Sequence, residues 1–80
     1  MPRFLLHHRH EPHECGVASA VFRGYASPLR HRAALASCAF GGHAIWWTVD
    51  ANGPDEALAL LPYFLSERAT ATRVDEVDIP

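Results

Sequence analysis

Apolar positions along the chain fall into short runs whose spacing alternates between two and three-to-four. Residues 3–9 begin apolar (Phe4, Leu5, Leu6) and end polar, between Pro2 and Pro12, which predicts a strand buried early and exposed at its end. Glu11-Pro12-His13-Glu14 reads as a helix start. Proline suits the first turn, where its missing N–H costs nothing, and Glu14 suits the positive end of the dipole. Val17, Ala18, Val21, Phe22 and Tyr25 recur at helical spacing, so a first helix is expected over 12–24, stopped by Gly24 and Pro28. Runs 34–40 and 43–50 flank Gly41-Gly42 and predict a tight hairpin. Its second strand, with Ile45, Trp46, Trp47, Thr48 and Val49, has the highest strand propensity in the chain. Gly53-Pro54-Asp55-Glu56 starts a second helix with an apolar stripe through Leu58, Leu61 and Leu65. Pro62 should kink or divide it. Residues 70–79 alternate loosely as a last strand.

The order strand, helix, strand, strand, helix, strand predicts one α+β domain over 1–80. The expected arrangement is ferredoxin-like βαββαβ: a four-stranded antiparallel sheet with two helices on one face. The right-handed crossover rule places strand one between strands three and four. A two-residue hairpin would pair Phe40 with His43 and Cys38 with Ile45. Cys38, Phe40, His43, Ile45, Trp47 and Val49 would then face the helices, with Cys38 and Trp47 as core. Trp46, Leu35 and Thr48 would lie on the open face.

Composition then narrows function. The chain has 80 residues, 49% of them hydrophobic and 20% charged, which excludes a disordered tail. A formal net charge of -2 argues against a nucleic-acid partner. No apolar run approaches the ~20 residues of a membrane span, and the apolar start is too short for a signal peptide, so no membrane partner and a cytoplasmic location are expected. All seven basic residues are arginine; Arg30-His31-Arg32 reads as a solvated loop.

Six histidines in 80 residues is the unusual feature, four of them between His7 and His13. The topology collects them. The end of strand one, the start of helix one and the start of strand three share one end of the sheet. His8, His10, His13, Cys15 and His43 are therefore expected at one rim, with Glu67 and Arg68 brought to it by helix two. Imidazole and thiolate are ligands for Ni, Zn or Cu. His10-x-x-His13-x-Cys15 matches no standard zinc signature, so solvated rim histidines are the competing reading. Cys15 in a first helical turn would have its thiolate stabilised by the dipole. A Cys15–Cys38 disulfide is not expected in a reducing compartment. Which face of strand one carries His8 and His10 is not decided by the pattern.

Segment order, the Pro12 start, the Gly41-Gly42 hairpin and the Trp46-Trp47 strand together resemble the dimeric α+β barrel superfamily. They are also similar to small bacterial ferredoxin-like proteins, some of which bind nickel. The resemblance is architectural and implies a homodimer through the open sheet face, with Trp46 buried. The expected function is thus a small cytoplasmic metal-binding protein, accessory or sensing. The alternatives are a dimeric isomerase or cofactor-free monooxygenase, with a small-molecule pocket near Trp46 and His8 as acid or base, and a structural dimer without chemistry.

Overall fold

Alternating burial makes β1 (Arg3–Arg9) a central strand: Phe4, Leu6 and His8 are buried, while Leu5 and His7 are only half-buried. In this computed structural model, which describes all 80 residues, β1 pairs antiparallel with β3 (Ala44–Asp50) and with β4 (Ala69–Val74). A two-residue strand, β2 (Leu35–Ala36), edges β3. The sheet order is β2-β3-β1-β4, so strand one does lie between strands three and four.

The helical layer is more broken than the periodicity predicts. The expected helix 12–24 is a 3-10 turn (Pro12–Glu14) continuing into α1 (Cys15–Ala20), and tight turns follow to Gly24. Gly24, at φ 76°, adopts the left-handed conformation that ends such a segment. The second helix is divided, as Pro62 requires, into α2 (Pro54–Leu58) and α3 (Tyr63–Ser66). Ala18 of α1, Ala57 of α2, Leu61 in the break between α2 and α3, and Leu65 of α3 form one apolar cluster with Phe4, Leu6, Trp47 and Val49. The layer therefore covers the Phe4/Leu6/His8 face. His7 stacks on Trp46 on the other face, ring centroids 5.2 Å apart and planes at 8°. The result is an α+β fold with a four-stranded antiparallel sheet and a few short helices.

The hairpin departs most from expectation. Leu35 pairs with Trp46 and Ala36 with Ile45, so Cys38 does not face Ile45, nor Phe40 His43. Strand two stops at Ala36, and Cys38–Phe40 is a 3-10 turn. Ser37 is the physical reason. Its carbonyl accepts from Phe40 N–H (3.0 Å) and Gly42 N–H (2.9 Å), and its hydroxyl accepts from Ala44 N–H (3.1 Å). These bonds fold 37–44 into a loop in place of a two-residue turn. Phe40, expected under the helices, is 91% exposed. The last strand ends at Val74, not 79, and Val77 and Ile79 are exposed.

Candidate metal centre

His10 follows the last residue of β1, and its N–H donates to His43 O at 3.1 Å, extending the β1–β3 ladder by one step. Its position and period-two alternation put His10 on the covered face with Leu6 and His8. Over the next five residues the chain reverses. Glu11 is extended, Pro12 enters the 3-10 turn, and Glu14 Oε1 accepts from Glu11 N–H at 2.9 Å. Cys15, opening α1, thereby returns to His10. From the other side, the loop gathered on Ser37 carries Cys38 at its start and His43 at its end. His43 takes a left-handed φ of 51°, directly before β3. Gly42 cannot carry a side chain here, because a Cβ would lie 2.3 Å from Ser37 Oγ.

These segments bring together one ligand atom each from His10, Cys15, Cys38 and His43, all within 4.8 Å of one another. His10 Nε2 lies 3.4 Å from Cys15 Sγ and 3.3 Å from Cys38 Sγ, and Cys15 Sγ lies 3.2 Å from His43 Nδ1. Four tetrahedral zinc bonds of about 2.0–2.3 Å would require ligand separations of roughly 3.3–3.8 Å. Those three separations already lie in or within about 0.1 Å of that range, and no pair in the group exceeds 4.8 Å.

The proton positions follow from what lies behind His10. His8 is fully buried, and its Nδ1 is 3.1 Å from Leu65 O. A carbonyl only accepts, so His8 Nδ1 carries the hydrogen. His8 Nε2, 3.0 Å from His10 Nδ1, therefore accepts in a neutral His8, and His10 is protonated on Nδ1. Burial holds His8 below the usual imidazole pKa, which favours that neutral state. His10 Nε2 is left with a bare lone pair facing the two thiols. This chain, carbonyl to His8 to His10, is the kind of outer support that orients a metal-ligating imidazole.

The thiols complete the balance. Cys38 S–H can donate to His10 Nε2 and Cys15 S–H to His43 Nδ1, so two weak donors meet two bare acceptors. Burial, then the neighbouring Cys38, pushes the Cys15 thiol above its ordinary pKa. The expected thiolate stabilisation by the helix dipole is therefore overridden by burial and by the second thiol. A divalent ion entering the group would displace two thiol protons and would be held by two thiolates and two neutral imidazoles. Both cysteines are free, not disulfide-bonded.

Of the residues expected at the rim, His10, Cys15 and His43 converge. His8 stands behind His10 and does not reach the group. It also lies on the covered face, so it cannot serve as acid or base beside Trp46; His7 is the histidine there. His13 is exposed and lines a polar cleft, with Glu11, His10 and His43, outside the four-residue group. Cys38, expected as core, is half-buried and belongs to the group. A spacing would have found it: His10 and Cys15, and Cys38 and His43, are two His/Cys pairs each separated by four residues. Arg68 reaches the cleft as expected. It lies 4.0 Å over the Phe64 ring, pairs with Glu67, and approaches Glu14 at 3.7 Å. The Glu14 carboxyl is held below its usual pKa by the Glu11 N–H and by Arg68.

No protein-family model, curated protein or solved structure matches this chain. No helix is long and apolar enough to cross a membrane. What the site can do follows from its donor set.

Proposed function

We propose that this is a small transition-metal-binding protein, accessory or sensing in role, whose His10, Cys15, Cys38 and His43 hold one ion of the zinc class. The observation that carries the reading is the convergence of four ligand atoms within 4.8 Å, with the tautomer of His10 set from behind. Among Ni, Zn and Cu, two thiolates with two imidazoles suit Zn best. Four protein ligands leave no open coordination position, which favours holding or sensing an ion over metal catalysis. His10 and His43 border the polar cleft, which supplies a route by which the ion can exchange.

Three further elements belong to this reading. The strand order and the helical layer on one face of the sheet support a ferredoxin-like domain with divided helices. The open face, with Trp46 and the 76% exposed Leu35, supports a homodimer through that surface. Paired free cysteines fit a reducing cytoplasm. The test is metal analysis of protein purified without a histidine tag. About one equivalent of Zn per chain in the wild type, lost in Cys15→Ser/Cys38→Ser, is expected; a metal-free wild type that takes up no Zn on reconstitution would reject the reading.

A further inference from the structure

The metal centre leaves unexplained the basic run Arg30-His31-Arg32 and an apolar groove beside it. Because β2 is only two residues long and α1 only six, the helical layer stops short of the β2 edge. A groove of about 470 Å³ remains there, floored by Ala18, Phe22, Ile45 and Trp47. Phe22 and Ile45 are only half-buried. The Phe22 ring lies 6.2 Å from that of the buried Trp47, so Phe22 and Ile45 present the open apolar surface of the floor with Trp47 beneath it.

Its rim carries Arg23, Arg30, His31 and Arg32. None of these arginines has a carboxylate partner, whereas Arg3 and Arg68 do. The reason is in the sequence: residues 15–49 contain no Asp or Glu, and the whole lining falls within 18–47. The loop bearing the arginines is anchored on its far side. Tyr25 and Ser27 hydroxyls donate to Ala59 O and Leu60 O, each at 2.6 Å, and Leu29 is buried in the core. His31, at φ 65°, turns the chain between Arg30 and Arg32 so that all three reach the rim. The arginines are thus held near the apolar floor, not on a free tail.

We propose that this groove binds a small planar aromatic carboxylate, its ring on the Phe22/Ile45 surface above Trp47 and its carboxylate between Arg30 and Arg32. The volume lies in the range of small-molecule sites, about 300–1,000 Å³. Guanidinium is the side chain suited to a carboxylate, and a rigid ring loses little conformational freedom on binding. A fully polar anion would leave the floor unused, and a neutral hydrocarbon would leave the cations unused. The site is separate from the metal centre and stands or falls independently of it.

The experiment uses Trp46→Phe protein, so that Trp47 is the sole tryptophan, titrated with 2-naphthoate and with its neutral isostere 2-naphthamide. Saturable quenching by naphthoate, at least about tenfold tighter than by the amide, is expected. Arg30→Ala/Arg32→Ala in that background should erase the preference. Arg3→Ala/Arg73→Ala, an equal change in net charge elsewhere, should leave it intact. Circular dichroism of both variants checks that they fold, and Arg30→Lys/Arg32→Lys, keeping charge without the fork, replaces a variant that does not. No saturable quenching up to about 2 mM, equal binding of acid and amide, or equal losses in the two charge-matched variants would overturn the proposal.

Discussion

Where β1 begins and β3 finishes, Phe4, Val49 and Ala51 are buried in an apolar cluster with Leu61. Where β1 finishes and β3 begins, the same covered face carries His8 and His10, buried to 0% and 8% exposure, against two thiols and His43. The first end is held by removal of hydrocarbon from water, which needs no partner and works in any buffer. The second buries polar groups, which is unfavourable unless each is paired. Here the pairing runs from Leu65 O through both imidazoles to S–H donors, the weakest in the protein repertoire. A cation would replace those weak bonds with coordination. One end of the sheet is thus self-sufficient, whereas the other holds a donor group that a metal ion could take up.

Removing the ion should have the largest effect. With free Zn at about 1,000 times Kd, linkage stabilises the fold by about 4 kcal/mol, so chelation should lower the melting temperature by 10 °C or more (about 4–8 °C per kcal/mol in a domain this size). Leu61→Ala, at a fully buried apolar position outside the His8–His10 chain, should cost about 2–5 kcal/mol with and without metal alike. Calorimetry of both proteins, loaded and chelated, checks the contrast. A chelator that leaves the wild-type transition unmoved would mean that the His/Cys end stands alone too.

A smaller effect isolates the support behind the ligand. His8→Phe keeps an aromatic ring of similar size under α3 but removes the acceptor for His10 Nδ1–H. Zn affinity should fall about 10–100-fold, measured by competition with a chelating indicator. Affinity unchanged within twofold would show that His10 does not need its tautomer set. Smallest of all, His13→Ala should change Zn affinity by less than about twofold, since the exposed imidazole lies outside the group. A tenfold loss would instead place His13 among the ligands.

Much of this contrast was legible in the residues. Apolar spacing located β1, β3 and both helix starts, because each has a strong local cause: alternation in β1, β-branched and aromatic residues in β3, and Pro12 and Pro54 at first helical turns. Topology then brought His10, Cys15 and His43 to one end without any motif. Cys38 escaped for two reasons. It sits among Ala36, Ala39 and Phe40, which look like strand core, and Gly41-Gly42 looks like a two-residue turn. The backbone bonds to Ser37, invisible in an apolar pattern, convert that stretch into a ligand-bearing loop. The face of His8 and His10 was undecided because Leu5 on one side of β1 and Phe4 and Leu6 on the other are all apolar. Only the helical layer chooses between them.

The central claim, two thiolates and two imidazoles on one ion, is tested most directly by titrating the reduced, metal-free protein with Co²⁺ and recording its visible and near-ultraviolet spectrum. A one-to-one endpoint is expected, with intense tetrahedral ligand-field bands and sulfur-to-cobalt charge transfer. The charge-transfer intensity should fall by about half in Cys38→Ser, as one of two thiolates is removed. A weak octahedral spectrum without charge transfer, or charge transfer unchanged in Cys38→Ser, would contradict the site.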